Sequence, residues 1–324
     1  MTTKEKVLAF LEENRGTHIS GAKIAEVLNV SRNTVWKSIK QLEKEGYDID
    51  AVTNKGYSLA QDSNQMSEVG IRSILNKGFQ EAPIYFYDTI DSTNKKAKEL
   101  AIEGASHGTL VIANEQSAGK GRYGRSFESP KDSGIYMSLI LRPEKLSYTH
   151  PTLITSYAAV VVSEVVKELT GKAIEIKWVN DLFYQNKKVC GILTEAVTDF
   201  ESGTMEWIVL GIGLNLLSGV FSDEIAIKAG GIFEGNDIEL NRNELVANLY
   251  QSLLTEHLEK DELEMMALYK EKSLVLNKEV LLQQGNTEFR AFIKDIDATG
   301  QLIIERTPGK EEIFNSGEIR IVLN

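Results

Sequence analysis

A short segment at residues 115–127 carries residue types that would bind an anionic group. Three glycines and three cations alternate within seven positions, as Gly119, Lys120, Gly121, Arg122, Gly124 and Arg125. Glycine lets the backbone approach a ligand closely because it has no side chain. Closely spaced cations favour phosphate and carboxylate, which arginine can bind through two parallel hydrogen bonds. The segment is therefore predicted to be a loop that closes over an anionic ligand.

Two other interpretations of this segment are a solvated loop and a disordered tail that binds nucleic acid. Strand-like runs at residues 109–114 and 134–141 enclose it, which favours a functional loop between two buried strands. It is not a phosphate-binding P-loop, since that motif requires G-x-x-x-x-G-K-[ST].

The composition favours a multidomain protein of the cytoplasm. With 324 residues, 42% of them apolar, the chain can form roughly two or three domains. It has no run of about 18 apolar residues and its N-terminus lacks the apolar core of a signal peptide, so no membrane partner is expected. Cys190 is the single cysteine, which excludes an internal disulfide and favours a reducing compartment.

No metal site is expected from the ligand-type residues. The four histidines are scattered along the chain and form no cluster with metal-ligand spacing: His18, His107, His150 and His257. Nothing in the sequence supports a Ser–His–Asp arrangement either.

The first 60 residues differ in charge from the rest of the chain. They hold nine Lys/Arg and eight Asp/Glu, a net charge of +1. Because the whole chain has a net charge of −11, the remaining residues carry −12. Apolar spacing predicts helices over 3–14, 20–28 and 31–45, with Ser20 and Ser31 as N-caps. A hairpin over 47–59 follows. A basic third helix behind a short turn is typical of a winged helix-turn-helix domain.

The exposed side of the third helix is the candidate DNA-binding surface. Its polar and basic residues are Ser31, Arg32, Asn33, Thr34, Lys37 and Lys40. The first members would meet base edges and the lysines mainly phosphates, and a dimer on a pseudo-palindromic site is expected. The alternative is a three-helix module that contacts only protein.

Residues 61–65 are polar and end the N-terminal pattern, and residues 67–77 predict a helix capped by Ser67. The central region then has a strand over 83–90 and a helix that follows Asp91 and extends to about residue 103. Ser92 and Thr93 lie where an N-cap belongs, so capping is one interpretation. The other is that the free amides and hydroxyls of the helix N-terminus hold a polar ligand group. A core helix is predicted over 149–169.

Three later segments could complete a site. Residues 174–182 predict a short strand that contains Lys177 and leads into the polar residues Asn180 and Asp181. Lys188 lies at the start of an apolar strand, where a cation is costly unless it meets an anion. A buried strand over 207–215 contains Gly211 and Gly213, which mark either close ligand approach or tight packing. It is not a dinucleotide fingerprint, because no third glycine opens a helix.

The C-terminal region changes from helical to strand patterning. Residues 241–272 predict helices, and five short strands follow residue 274, the last over 319–323. About fifty residues in five strands predict a small SH3-like barrel. The alternative is a purely structural cap.

Taken together, these segments resemble the bifunctional biotin–protein ligase and biotin-operon repressor family over essentially the whole chain. The motifs occur in family order behind the winged helix: Asp91-Ser-Thr-Asn, the loop from Gly119 to Phe127, Lys177-Trp-x-Asn-Asp, Lys188-x-x-Gly-Ile-Leu-x-Glu and Gly211-Ile-Gly-x-Asn. The resemblance implies an α+β multidomain fold. Its parts are a winged helix-turn-helix over 1–62, a mixed α/β domain similar to class II tRNA synthetases over 66–273, and an SH3-like barrel over 274–324.

The resemblance also implies the activity and the partners. Such an enzyme forms biotinoyl-5′-AMP from biotin and ATP with Mg²⁺, then transfers biotin to a lysine of a biotin carboxyl carrier protein domain. The adenylate-bound form would be a homodimer that represses transcription at operator DNA.

The site residues implied by the resemblance fall into three groups. Lys188, Arg122 and Asp181 would serve catalysis, and for Asp181 the alternatives are to orient Lys188, to touch the nucleotide or to serve Mg²⁺. The biotin-binding group is Ser92, Thr93, Asn94, Gln116, Gly119, Arg122, Lys188, Gly191, Gly211 and Gly213. The ATP-binding group is Arg122, Arg125, Phe127, Lys177, Asn180, Asp181 and Asn215.

The chain departs from the family pattern at three positions. Lys120 stands where an arginine is usual and cannot form a bidentate fork. Phe127 stands where tryptophan is usual, with less ring area and no indole donor. Val179 replaces a proline and so removes a fixed φ.

Two other functions remain compatible with parts of the pattern. A lipoate-type acyl–protein ligase would use a similar fold with another pocket shape. A non-enzymatic, ligand-sensing transcription factor would bind biotin without releasing pyrophosphate, but it has no need for so many phosphate-directed cations.

Overall fold

A computed structural model describes residues 1–146, 151–198, 205–235, 237–255, 262–315 and 317–320. His150 and His257 lie outside these residues, as do residues 149–150 of the predicted core helix. The chain divides into two compact units, one of residues 1–81 with 238–248 and one of 82–237 with 249–324. Within the described part, no helix has the length and apolar content to span a bilayer.

The N-terminal part of the first unit, residues 1–81, contains four α-helices and a two-stranded sheet. The elements are α1 (Thr3–Glu12), α2 (Gly21–Leu28), α3 (Arg32–Lys44), β1 (Ile49–Val52), β2 (Gly56–Leu59) and α4 (Glu68–Ile74). Apolar faces of α1, α2 and α3 form one core, which includes Val7, Ile24, Val35, Ile39 and Leu42. The predicted helix-turn-helix and its hairpin are therefore confirmed.

Local chemistry explains where these helices begin and turn. The hydroxyl of Ser20 accepts a hydrogen bond from the amide of Lys23 at 3.1 Å, so Ser20 caps α2. Asn29 ends that helix in the left-handed region at φ 51°, which a short polar side chain tolerates. At the hairpin, Gly56 has φ 105°, and a Cβ there would lie 2.1 Å from the carbonyl oxygen of Ile19.

The segment after the hairpin is held by residues from much later in the chain. The side chain of Asn243 accepts from the amide of Ser67 and donates to the carbonyl of Gln65, both at 3.0 Å. Arg242 donates to the carbonyl of Asn64 at 2.9 Å. The helix predicted over 67–77 ends earlier, at Ile74, and a separate 3-10 turn follows at Lys77–Phe79.

The second unit is built on a seven-stranded mixed sheet. Its strands are β3 (Ile84–Ile90), β4 (Thr109–Gln116), β5 (Gly134–Leu141), β6 (Glu175–Lys177), β7 (Asp181–Tyr184), β8 (Lys187–Thr198) and β9 (Met205–Asn215). The spatial order is β3-β4-β5-β9-β8-β7-β6, and only the β3–β4 pair is parallel. Helix α5 (Thr93–Ile102) packs on β4, β5 and β9, while α6 (Pro151–Thr170) packs on β6, β7 and β8.

Residues 174–182 were predicted as a short strand that leads into polar residues, and the structure has this strand but adds a turn and a second strand. The segment forms two antiparallel strands, β6 and β7, with Lys177 paired to Asp181 and a cis peptide between Trp178 and Val179 in the turn. The turn is held from outside its own sequence. The indole Nε1 of Trp178 donates to the carbonyl of Gly300 at 2.8 Å, and the Tyr269 hydroxyl donates to the carbonyl of Val179 at 3.1 Å.

The rest of the described chain contains three helices and a third sheet. The helices are α7 (Asp223–Ala226), α8 (Arg242–Leu254) and α9 (Glu262–Glu271). The strands are β10 (Glu279–Gln284), β11 (Thr287–Ile296), β12 (Leu302–Thr307), β13 (Lys310–Phe314) and β14 (Glu318–Arg320). They form an antiparallel sheet in the order β13-β12-β11-β10-β14. Five strands were predicted, although residues 321–323 of the last lie outside the described residues.

Candidate active site

The glycine-rich segment forms an ordered hairpin that extends from the end of β4. The amide of Phe127 donates to the carbonyl of Gly119 at 2.9 Å, and the amide of Gly121 donates to that of Arg125 at 2.7 Å. The tip turns at Tyr123 and Gly124, which have φ of 56° and 73°. Glycine at 119 is required by close packing, since a Cβ there would lie 2.4 Å from the carbonyl oxygen of Phe127.

The ring of Phe127 lies across two glycines of neighbouring strands. A Cβ at Gly213 in β9 would lie 2.5 Å from the ring, and one at Gly191 in β8 would lie 3.3 Å from it. These two glycines face each other across the β8–β9 pairing. Their missing side chains therefore create the flat surface on which the hairpin rests.

The N-terminus of α5 supplies polar groups beside this surface. Ser92 is the N-cap, and its hydroxyl lies 3.4 Å from the amide of Lys95. The amide and hydroxyl of Thr93 both donate to Gln116 Oε1, at 2.8 and 3.0 Å. Gln116 Nε2 in turn donates to Ser129 Oγ at 2.9 Å. The capping residues thus lie in the same short segment that was predicted to hold a ligand.

Asn94 is fully engaged by the protein. Its Nδ2 donates to Glu195 Oε2 at 2.9 Å and lies 3.3 Å from the carbonyl oxygen of Leu193, and its Oδ1 lies 2.6 Å from Ser138 Oγ. A Cβ at Gly211 would lie only 1.9 Å from the Oδ1. Asn94 therefore occupies the space that glycine leaves and fixes α5 against β8 and β9.

Glu195 completes this link between α5 and β8. Besides Asn94, its carboxylate accepts from Lys98 Nζ at 2.9 Å. Burial raises the pKa of Glu195, but the hydrogen bonds from Asn94 and Lys98 outweigh it, so the net shift is below the usual value. Glu195 is therefore held as a carboxylate at neutral pH.

Lys188 meets the anion that its position at a strand end requires. Its Nζ lies 2.6 Å from Asp181 Oδ1, and both side chains are partly exposed in the cleft. Lys177 lies on the same side. Burial lowers the pKa of Lys177, the nearby Asp181 raises it in part, and Lys188 lowers it further. Glu318 and Arg125 also act on Lys177. The cations that line the cleft outnumber its two carboxylates, so the cleft favours an added anion.

The two arginines of the hairpin have different partners. Arg122 Nη1 donates to Asn180 Oδ1 at 3.1 Å, which ties the hairpin to the β6–β7 turn. Arg125 forms an ion pair with Glu318 of β14 at 2.7 Å, and its side chain is largely exposed. Arg122 is thus directed into the cleft, while Arg125 contacts the C-terminal sheet.

One open cleft of about 1000 Å³, counting the solvent space at its mouth, joins most of the predicted site residues. Those that line it are Ser92, Thr93, Asn94, Gln116, Arg122, Arg125, Phe127, Lys177, Asn180, Asp181, Lys188, Gly191, Gly211 and Gly213. Among the described residues, Gly119 and Asn215 are predicted members that do not line it. Asn215 is instead buried, with its Oδ1 unpaired.

Sequence reasoning assigned no role to several residues that build this cleft, although Glu195 and Tyr123 lie inside the quoted motifs. Ser138 and Glu195 hold Asn94, while Tyr123 and Glu318 line the wall. A signal existed for Ser138 and Glu195, because each is a polar residue inside an apolar strand. Glu318 gave none, since its contact with Arg125 spans 193 positions.

The cleft has no reactive thiol. Cys190 is fully buried in β8, and burial raises the pKa of its thiol. No cluster of three or more metal-ligating side chains occurs in the described part of the chain. The arrangement offers charge neutralisation at Lys177, Lys188 and Arg122, and donors or acceptors at the N-terminus of α5.

The candidate DNA-binding surface lies in the other unit. Arg32, Asn33 and Lys37 are exposed on α3. The hydroxyl of Ser31 accepts from the amide of Thr34 at 3.0 Å, so both residues serve the helix cap. Lys40 pairs with Glu43 at 2.7 Å.

Family comparisons match all three regions. Residues 86–215 match the biotin/lipoate A/B protein ligase family, residues 3–58 an HTH domain, and residues 275–321 the biotin protein ligase C-terminal domain. The solved biotin protein ligase from Aquifex aeolicus in complex with biotin and ATP is 27% identical, with a TM-score of 0.64, and covers 75% of this chain and 99% of that one.

Curated relatives extend the match to nearly the full length. The bifunctional ligase/repressor BirA of Bacillus spizizenii is 32% identical over 320 residues, which cover 97% of this chain and 98% of the relative. BirA of Escherichia coli is 30% identical over 324 residues, covering 99% and 97%. With both the cleft and the helix-turn-helix inside these matches, the chain belongs to the family of bifunctional ligase/repressors that these BirA proteins represent.

Proposed function

We propose that this protein is an ATP-dependent biotin–protein ligase that also acts as a biotin-responsive transcriptional repressor. The observation that carries the proposal is the cleft itself. Five motifs separated along the chain meet around one space, and its lining includes a helix N-terminus and five basic side chains. The same chain carries the helix-turn-helix.

The chemistry proceeds in two steps. An oxygen of the biotin carboxylate attacks the α-phosphorus of ATP, and pyrophosphate leaves to give biotinoyl-5′-AMP. The neutral ε-amine of a carrier lysine then attacks the acyl carbon, AMP leaves, and the amine proton passes to solvent. Phosphoryl transfer of this kind needs positioning and charge neutralisation more than a protein nucleophile.

Lys188 is assigned the central electrostatic role. It stands at the cleft wall with Asp181 as its partner at 2.6 Å, so its ammonium is already oriented before ligands bind. It would neutralise charge between the biotin carboxylate and the α-phosphate. In this arrangement, the main role of Asp181 is to orient Lys188.

The biotin end is assigned to the N-terminus of α5. Ser92, Thr93 and Gln116 offer hydrogen-bonding groups to the ureido ring, and Thr93 and Gln116 are pre-positioned on each other at 2.8 Å. Asn94 acts by position, because its own polar atoms are engaged by the protein. Gly191, Gly211 and Gly213 bring backbone close to the ligand.

The nucleotide end is assigned to Arg122, Lys177 and Asn180, with the ring of Phe127 against the adenylate. Arg125 contributes through the order of the hairpin, since it pairs with Glu318. Asn215 and Gly119 do not line the cleft, and we assign them a structural role that supports the residues that do.

Mg²⁺ fits this donor set only as an ion carried by the nucleotide. Mg²⁺ is usually held by one or two carboxylates together with substrate phosphates, and Asp181 is a carboxylate exposed in the cleft by 24% of its side chain. Asp181 would hold the ion jointly with ATP, and the ion would neutralise phosphate charge.

Purified protein should transfer biotin to a carrier domain when ATP and Mg²⁺ are present, detected as a mass increase. Lys188→Ala should lower the rate at least about a hundredfold, the scale of losing one well-placed electrostatic group. Lys294→Ala removes an exposed lysine paired with Glu311 and is the matched control. Absence of ATP-dependent transfer would refute the ligase, and competition by lipoate rather than biotin would assign another acyl group.

The regulatory part of the proposal couples the hairpin to self-association. Bound adenylate would hold residues 115–127 in place, favour a homodimer and so favour a two-fold operator, since a ligand shifts the population toward the state it binds better. The adenylate accumulates when carrier is scarce. Electrophoretic shifts on selected duplex DNA should strengthen when biotin and ATP are added, and equal binding without them would refute the coupling.

Finer structural assignments are part of the same proposal. We infer domains over 1–62, 66–273 and 274–324, a central fold similar to class II tRNA synthetases, and an SH3-like barrel for the five-stranded C-terminal sheet. We also infer a cytoplasmic location, which the single, unpaired cysteine supports.

A further inference from the structure

Trp36 is a large apolar side chain that the first unit leaves in solvent. It lies in the second turn of α3 and is 49% exposed, whereas Trp178 and Trp207 are buried. The core side of α3 is formed by Val35, Ile39 and Leu42, so the fold does not depend on Trp36. A single exposed apolar residue carries no conclusion by itself. The inference depends instead on where Trp36 lies on the helix.

Trp36 is surrounded by cations on the exposed face of α3. Residues four apart on a helix are neighbours on one face, so Trp36 lies between Arg32 and Lys40, with Lys37 beside it. Lys40 pairs with Glu43, but within the described residues Arg32 and Lys37 have no carboxylate partner. On a chain of net charge −11, this face is complementary to a polyanion.

We infer that Trp36 inserts into the major groove of DNA and packs against the 5-methyl group of a thymine. The inference rests on the DNA binding proposed above. A recognition helix places its first turns against base edges. Among the features of the major groove, the thymine methyl is the apolar one, and apolar side chains recognise it. Arg32 and Asn33 would meet base edges, and the lysines would meet mainly phosphates.

The test uses full-length protein with biotin and ATP, and the tightest duplex recovered by selection from a random library. Each thymine is replaced in turn by deoxyuridine, which lacks only the 5-methyl group. Wild-type protein should lose about fourfold in affinity at one thymine of each half-site, the effect of one methyl group returning to water. Trp36→Ala should bind the parent duplex at least about tenfold more weakly, and it should no longer distinguish thymine from uracil there.

Two controls keep the result specific. Trp36→Phe retains an aromatic surface and should keep most of the thymine preference. Ile102→Ala removes a side chain that is 75% exposed in the other unit and should leave DNA affinity unchanged. Biotinylation activity and thermal unfolding of Trp36→Ala should match wild type, because the side chain contributes to neither the core nor the cleft.

Three outcomes would overturn the inference in different ways. If Trp36→Ala keeps full affinity and full sensitivity to every deoxyuridine, DNA binding stands and the role of Trp36 is wrong. If Trp36→Ala weakens self-association measured by sedimentation without DNA, the side chain contacts a second copy instead. If selection with wild-type protein enriches no duplex, the repressor function itself fails.

Discussion

At the scale of single residues, the cleft depends on two glycines whose lack of a side chain leaves room for other groups. Gly211 and Gly213 alternate along β9 and face the same side of the sheet. Asn94 fills the space at the first, and the ring of Phe127 lies on the second. Glycine in a strand costs stability, so both positions trade strand stability for close approach of other groups.

Gly211→Ala is expected to disturb biotin binding through Asn94. The new Cβ would lie 1.9 Å from Asn94 Oδ1, and Asn94 cannot give way without breaking its bonds to Ser138 and Glu195. We expect a loss of about 1–3 kcal/mol in stability, the usual cost of overpacking, and a rise of at least about tenfold in the KM for biotin. Thermal unfolding and steady-state biotinylation measure the two effects.

Gly78→Ala is the matched control, since no atom lies within 4 Å of a Cβ there and its φ is not positive. In an Asn94→Ala background the added methyl has room, so Gly211→Ala should cost much less than in wild type. Equal costs in both backgrounds would show that the contact with Asn94 is not the cause.

The sequence predicts the role of a residue well when the cause lies in neighbouring residues, and poorly when the cause is a partner far away in the chain. Lys188 was expected to need an anion because it begins an apolar strand, and Asp181 lies 2.6 Å away. The ion pair of Arg125 with Glu318 was not predictable, because neither residue shows in its own neighbourhood that a partner lies nearly 200 positions away. The predicted ligand contacts themselves stay predictions.

At the scale of elements, α5 is joined to the sheet by a polar network rather than by apolar packing alone. Ala97, Leu100 and Ala101 form the apolar side of α5 against β4, β5 and β9. At its N-terminus, Asn94 and Lys98 both donate to Glu195 of β8. The carboxylate therefore sets the position of the helix end that is assigned to biotin.

This network gives a pH dependence with a definite sign. The folded-state pKa of Glu195 lies below its unfolded value of 4.5, so its contribution is present above that pH and is lost as pH falls through the folded pKa. Glu195→Gln should remove this component and lower stability at pH 7 by about 1 kcal/mol, a modest figure because the side chain is 33% exposed. Differences between wild-type and variant denaturation curves from pH 7 to 3 measure it.

Glu206→Gln is the control for that comparison, because Glu206 is exposed on the neighbouring strand β9. If the Glu195→Gln and wild-type curves stay parallel over the whole pH range, Glu195 does not hold α5 as described. A rise in the KM for biotin in Glu195→Gln, with kcat little changed, would accompany loss of the correct helix position.

Element boundaries show the same division between local and distant causes. Ser20, Ser31, Ser67 and Ser92 were all predicted as caps from neighbouring residues, and each caps a helix. The turn between β6 and β7 was missed. Its residues Trp178 and Val179 continue the apolar pattern of the strand, and the groups that hold the turn, at Gly300 and Tyr269, are about 90 or more positions away.

At the scale of the whole molecule, the first unit is assembled from two distant parts of the chain. Residues 238–248 group with residues 1–81. Asn243 is fully buried and forms the hydrogen bonds to Gln65 and Ser67, and it packs on Gly70, where a Cβ would lie 2.5 Å away. The linker after the hairpin is thus anchored by a helix that appears about 180 positions later.

Asn243→Ala is expected to destabilise the first unit selectively. It leaves the amide of Ser67 and the carbonyl of Gln65 without their partner, at about 1–3 kcal/mol for a buried unsatisfied group. Calorimetry should show a transition at lower temperature, with loss of DNA affinity on heating before loss of biotinylation. Asn248→Ala, on the same helix with only an exposed bond to Glu244, should change neither. A uniform shift of all transitions would contradict a local anchor.

The discontinuous first unit has a consequence for exchanging parts between relatives. A chimera joined at the polar linker near residues 61–65 would carry a foreign helix-turn-helix. It would lack the matching residues of 238–248 that hold the end of this segment by hydrogen bonds. Donor grafts should therefore bring residues 238–248 with them, or at least match Arg242 and Asn243. In evolution, the same hydrogen bonds make it harder to transfer the N-terminal segment between proteins than its place at the chain end suggests. A recombination event would have to transfer two separate segments at once.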